Sequence, residues 1–324
     1  MTTQILEVNN LQVDYLARNR TVKAVDRVSF TLGKGETLGL VGESGCGKST
    51  LGFSILRLVP PPGKIVSGEI VFDGEDLLQK TEADMRKIRG KRLSMIFQDP
   101  MTSLNPLMRI GDHIVETIRV HEDVSKEDAW KRAEKLLDKL GIPRDRLKDY
   151  PHQFSGGMRQ RIMIGLGLVL NPSLMVADEP TTSLDVIVEA QILELLKELK
   201  RDYNLTLILI THNMGVVAEL SEKIAVMYAG EIIELADTDS LYERPFHPYT
   251  MKLLRSIPNI RLTEQHVESI PGSPPDLANP PTGCRFNPRC PYAIKRCRDQ
   301  ELLLTKVDKN RYVACIRYGD LFDA

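Results

Sequence analysis

Along residues 5–40 the apolar positions come in short alternating or continuous runs, Leu6, Val8, Leu11, Val13, then Val28, Phe30, Leu32, then Leu38 to Val41, broken by Gly33 and Gly35. A period of two reads as strands, and the glycines read as tight turns. Further on the period changes: Ala133, Leu136, Leu137 and Leu140 fall at i, i+3, i+4 and i+7, with Ser125 as N-cap and Gly141 then Pro143 as stop signals. This predicts an amphipathic helix within a helical insert. Leu174–Ala177 and Leu205–Ile210 are apolar runs flanking a second helical stripe, Ile192, Leu195, Leu196 and Leu199. Strand, helix, strand implies a parallel βαβ unit, so a doubly wound α/β sheet is the expected architecture.

The chain of 324 residues is long enough for one large domain or two smaller ones. Eight of its 19 prolines fall between Pro258 and Pro291, including Pro274-Pro275 and Pro280-Pro281. That stretch is too broken for long elements and predicts a linker to a small C-terminal module, giving domains 1–257 and 258–324, with the helical subdomain at about 100–167. Lys plus Arg number 43 against 44 Asp plus Glu, so no whole-chain positive field is available to hold nucleic acid. The longest apolar run, Ile162–Leu170, is far short of the roughly 20 residues of a spanning helix, and Met1–Asn10 has no signal-peptide pattern. A cytosolic or membrane-peripheral protein is expected.

Gly42-Glu43-Ser44-Gly45-Cys46-Gly47-Lys48-Ser49 fits G-x-x-x-x-G-K-[ST], and it follows an apolar strand and precedes helix-compatible Leu51–Leu58, with Thr50 beside it. Glycines are needed because the backbone must wrap closely round phosphate oxygens with its N–H groups inward. The helix that follows adds its positive end. Lys48 is expected to reach the β- and γ-phosphates, and the Ser49 hydroxyl to complete a Mg²⁺ shell. Cys46 reads as a small filler whose exposure there would make it sensitive to thiol reagents. The strand Leu174–Ala177 runs into Asp178-Glu179. A strand that ends in two acids delivers carboxylates to the edge of a parallel sheet, Asp178 for Mg²⁺ and Glu179 to polarise the attacking water. Ser155-Gly156-Gly157-Met158-Arg159-Gln160 opens an apolar helical stretch and offers either a plain N-cap or another phosphate-binding helix end.

Signature, P-loop and acidic strand together resemble the ATP-binding subunit of an ABC transporter, over about residues 5–260. The resemblance extends to Gln98, to Ser183-Leu184-Asp185 and to His212. It implies a P-loop NTPase cassette that binds ATP and Mg²⁺ and works as a dimer with an identical or paralogous second subunit, whose Ser155, Gly156 and Gly157 face the γ-phosphate. It further implies that Gln98 contacts Mg²⁺ and the water, that His212 holds the γ-phosphate, that Asp185 bridges the two sites and that Tyr15 stacks on adenine. Phe154, Met158 and Asn213 depart from the general pattern without removing a catalytic group. Gln98 to Pro106 and His247-Pro248-Tyr249-Thr250 resemble the peptide-importing branch. That branch implies an ATPase at the cytoplasmic face of the membrane that powers oligopeptide or dipeptide import, with two permease subunits, contacted through residues 99–107, and an extracytoplasmic binding protein. The competing reading is a soluble ABC-type ATPase acting on ribosomes or nucleic acid, which would usually carry two cassettes where this chain has one P-loop.

Four of the five cysteines, Cys284, Cys290, Cys297 and Cys315, are spaced C-x5-C-x6-C-x17-C, matching neither paired zinc knuckles nor a ferredoxin run. Arg285, Arg289, Lys295, Arg296 and Arg298 would favour thiolates or form a solvated face. The tail resembles the C-terminal extension of peptide-importer ATPases, some of which carry a [4Fe-4S] cluster. From this resemblance the four cysteines are assigned as iron-sulfur ligands, with zinc as the lesser alternative.

Overall fold

The computed structural model describes residues 3–17, 20–99, 103–182, 184–256 and 270–320. In chain order these form β1 (Gln4–Ala17), β2 (Arg20–Gly33), β3 (Thr37–Val41), α1 (Lys48–Ile55), β4 (Gly63–Phe72), β5 (Glu75–Asp76), α2 (Glu82–Ile88) and β6 (Leu93–Ile96). They continue as α3 (Ile110–His121), α4 (Lys126–Lys139), α5 (Gly156–Leu168), β7 (Leu174–Asp178), α6 (Val186–Tyr203), β8 (Thr206–Ile210) and α7 (Met214–Leu220). The last are β9 (Lys223–Tyr228), β10 (Glu231–Asp237), α8 (Thr238–Glu243), α9 (Pro248–Arg255), α10 (Lys295–Asp299), β11 (Thr305–Asp308) and β12 (Arg311–Val313). The expected α/β class is what the chain adopts. It divides into two compact bodies, one built chiefly from residues 79–208 and the other from 4–32, 36–78 and the chain from 209 onward.

In the first body β6 and β7 pair in parallel, with Leu93 opposite Leu174 and Ile96 opposite Ala177. Every residue of both strands is buried, as parallel strands require. The helical insert follows its sequence signals closely. Ser125 Oγ accepts from the Asp128 amide at 3.0 Å to cap α4, and Ala129, Ala133, Leu136 and Leu137 form its buried face. Asp185 caps α6 through the amides of Ile187 and Val188, and Asn204 in the left-handed region ends it. Ile192, Leu195, Leu196 and Leu199 are buried as their spacing predicts, each contributing about 2 kcal/mol.

The second body holds an antiparallel sheet of order β2-β1-β4-β5 and the run β3-β9-β10-β12-β11. β3 and β9 pair in parallel, Val41 opposite Val226, while β12 adds antiparallel to β10 with Glu234 opposite Val313. The stretch after the proline-rich segment thus covers the edge of the sheet that carries the phosphate loop. A buried ion pair fastens it there. Arg285, 6% exposed, meets Asp26, 4% exposed, donates to the Ala229 carbonyl and lies 3.2 Å from Glu231. Losing one partner of such a pair costs about 3–5 kcal/mol. Glu234, fully buried, accepts from the amides of Phe246 and His247 at 2.7 and 2.8 Å and pairs with Arg311 at 3.2 Å. Among the described residues no helix is long and apolar enough to cross a membrane.

Candidate nucleotide site

β3 delivers the chain to Gly42, and the loop turns through positive φ at Gly42, Gly45 and Gly47 before α1 begins at Lys48. At two of these positions glycine is required by close approach as well as by φ. A β-carbon at Gly42 would lie 2.1 Å from the Met227 carbonyl oxygen, and one at Gly47 2.0 Å from that of Ala24. Leu51 N donates to Gly47 O, closing the first helical turn. Lys48, 5% exposed, donates to the carbonyls of Gly42 and Glu43 at 2.8 and 3.0 Å, so its charge is held at the mouth of the loop. Ser44 and Gly45 are exposed, and Ser49 and Thr50 are half-buried.

Cys46 is corrected in one respect. It is the filler expected, but at 4% exposure it is not open to reagents, and burial pushes its thiol pKa up despite neighbouring Lys48. Tyr15 stands opposite Gly63 in the β1–β4 register, half-buried, its ring close enough that a β-carbon on Gly63 would sit 2.7 Å from Cε1.

In the first body the parallel register explains a second constellation. Gln98 lies two residues beyond Ile96 and Glu179 two beyond Ala177, so both leave the same sheet edge. Gln98 Nε2 donates to Glu179 Oε2 at 3.1 Å, and Thr182 Oγ1 donates to the same oxygen at 2.7 Å. Glu179 takes φ 47°, a left-handed conformation costing about 1 kcal/mol. Alternation turns Asp178, 2% exposed, the other way. Ser155 caps α5 by accepting from Met158 N at 3.3 Å, and Gly157 lets Val188 approach, where a β-carbon would stand at 2.5 Å. Ser155, Gly156 and Asp185 are exposed on this body, and His212 is exposed at the end of β8 in the other, before the Asn213 cap of α7. Pro100, Met101 and Thr102 of the expected permease-contacting loop and Ser183 lie outside the described residues; Leu107, at the end of that loop, is 86% exposed.

The iron-sulfur assignment is overturned. Cys284, Cys290, Cys297 and Cys315 do share one cavity with His247, but its volume of about 10 Å³ has room for about one water. Among the described residues no group of three or more His, Cys, Asp or Glu side chains is placed to hold a metal ion, which removes zinc as well. The physical reason lies in charge and burial. Arg285 and Arg289, expected to favour thiolates, are engaged by Asp26 and Glu43 instead. Burial raises the thiol of Cys284 to about 12 and of Cys315 to about 11, and raises Cys290, keeping protons on groups that a metal needs deprotonated.

Sequence reasoning missed what surrounds Glu43. Its amide donates to Tyr249 Oη at 2.9 Å and its carboxylate takes both prongs of Arg289, at 2.7 and 3.0 Å. An acid inside a phosphate loop and a cluster of unpaired-looking arginines were the available signals. Nothing in the sequence joins positions so far apart.

Two family models match the chain: ABC transporter over residues 25–182, and oligopeptide/dipeptide transporter, C-terminal region, over 233–297. The oligopeptide transport ATP-binding protein OppD of Bacillus subtilis strain 168 is 49% identical, covering 96% of this chain and 88% of its own. The dipeptide transport ATP-binding protein DppD of Escherichia coli K12 is 44% identical over 96% of both. Among solved structures, the dimeric bacterial ABC transporter cassette MJ0796 superposes with a TM-score of 0.65 at 27% identity, over 72% of this chain and 99% of that one. Identity at this level across nearly the whole length, with both regions matched in order, places the chain in the ABC transporter family, among the ATP-binding proteins of oligopeptide and dipeptide transport.

Proposed function

We propose that this chain binds and hydrolyses ATP to power the import of dipeptides or oligopeptides. The observation that carries the reading is the near full-length identity to peptide-transport ATP-binding proteins, including the C-terminal region. The glycine-dependent loop fits a triphosphate. Its positive-φ turns leave Ser44 and Gly45 exposed and bring the Lys48 charge to the loop mouth. In this reading Lys48 and the amides of residues 42–50 take the phosphates, Ser49, Gln98 and Asp178 are the Mg²⁺ ligands, and Tyr15 takes the adenine. Mg²⁺ when bound neutralises charge developing on the phosphate oxygens. Glu179 accepts the proton of the attacking water, oriented by the hydrogen bonds from Gln98 and Thr182. His212 holds the γ-phosphate.

The family works as paired cassettes with membrane-embedded permeases. For this chain Ser155, Gly156, Gly157 and Asp185 are assigned to the partner-facing surface, and residues 99–107 to the permease. Two permeases, an extracytoplasmic binding protein and a position on the cytoplasmic face of the membrane complete the assignment, with residues 258–324 as the extension of an ATPase domain at 1–257. Mild detergent extraction followed by affinity isolation tests it: permease chains should co-purify and ATP should drive labelled peptide into vesicles. Sedimentation with ribosomes and no permease would overturn it.

A further inference from the structure

The C-terminal extension meets the phosphate loop at one side chain. Arg289 has its side chain 6% exposed, its guanidinium lying 5.8 and 6.0 Å from the ring centroids of Tyr228 and Phe286. Besides the fork onto Glu43 it donates to the Tyr228 hydroxyl at 3.3 Å and to the carbonyls of Ile270, Pro271 and Gly272 at 2.8–3.3 Å. Tyr228, Tyr249 and Phe286 pack as a trio with centroids 4.6–5.5 Å apart, so both the arginine and the tyrosine that hold Glu43 are themselves locked.

Glu43 is therefore fixed at three points: amide on Tyr249, carboxylate on Arg289, carbonyl on Lys48. The same arginine answers an electrostatic problem. A carboxylate within a loop that must receive a triphosphate repels it, and a bidentate guanidinium cancels that charge while a point ammonium would do so less well. We propose that Arg289 is a positioning residue for ATP hydrolysis, setting the loop backbone through Glu43 and neutralising its carboxylate. This rests on the reading of residues 42–50 as the triphosphate site.

The test uses the full-length protein and steady-state hydrolysis of MgATP, with thermal melting alongside. Arg289→Ala is expected to raise KM for ATP at least tenfold while kcat falls less than threefold. Adding Glu43→Gln to that variant should bring KM back to within threefold of the parent, because the uncovered charge is gone. A KM unmoved by Arg289→Ala overturns the proposal. So does a KM rise that Glu43→Gln fails to relieve, since that pattern belongs to a packing defect. Should Arg289→Ala fail to fold, Arg289→Lys carries the test: it keeps one charge and loses the fork, and KM should rise about threefold, with no change overturning the proposal. Lys48→Ala is the control for the underlying reading. Undiminished ATP binding there removes the triphosphate site itself, independently of Arg289.

Discussion

Gly47 turns at φ 107° against the Ala24 carbonyl, whereas Gly45 turns at φ 78° with nothing within 4 Å of where a β-carbon would stand. The two glycines therefore differ in what they forbid. Gly45→Ala is expected to cost about 1 kcal/mol, the ordinary charge for a left-handed alanine. Gly47→Ala should cost about 3 kcal/mol, because backbone must shift as well, and should abolish ATP binding. Urea midpoints of the two variants measure the gap, and equal midpoints would contradict the close approach. Gly47 was legible in the sequence through the motif, while Gly45 occupies one of its free positions. The charge environment was not, because Arg289 reaches Glu43 across 246 positions and only the folded chain brings them within a hydrogen bond. For the same reason the arginine-rich tail read as a field for thiolates: its composition was visible, its engagements were not.

At the scale of elements, periodicity and caps carried the reading. Ser125 and the 3.6-residue stripe of α6 behave as their side chains dictate, and the strand–acid pair leads to the Gln98–Glu179 contact through parallel register. α9 shows what a pattern of side chains alone leaves hidden. Its cap is His247, 1% exposed, whose Nδ1 accepts from Tyr249 N at 3.1 Å. Nε2 then carries the proton and faces Cys284 Sγ at 3.9 Å. Burial depresses the imidazole from 6.5 to about 3. The unfolded chain takes up a proton as pH falls below about 6.5 while the folded one does not, so stability present at neutral pH is lost toward pH 3, on the order of 5 kcal/mol in full. Melting temperatures between pH 7 and 4.5 should fall more steeply for the parent than for His247→Asn, which retains a capping side chain. Parallel curves would show that His247 titrates normally.

For the whole molecule, the test of catalytic assignment and assembly is the same variant. Glu179→Gln keeps an oxygen able to accept from Gln98 and Thr182, so its geometry should survive while turnover falls by about 10²–10⁴-fold. With ATP and Mg²⁺ it should elute from a sizing column at twice the monomer mass, and a lasting monomer would break the link between nucleotide and pairing. The order in which the chain leaves the translation machinery adds a constraint of its own. Asp26 meets Arg285 across 259 positions of chain, and β12 covers β10 from a segment that follows it by more than 70, so both contacts form late in synthesis. Until then the nascent polypeptide carries an acid without its arginine and a strand edge without its cover, which are the two features a chain cut short before Arg285 would keep.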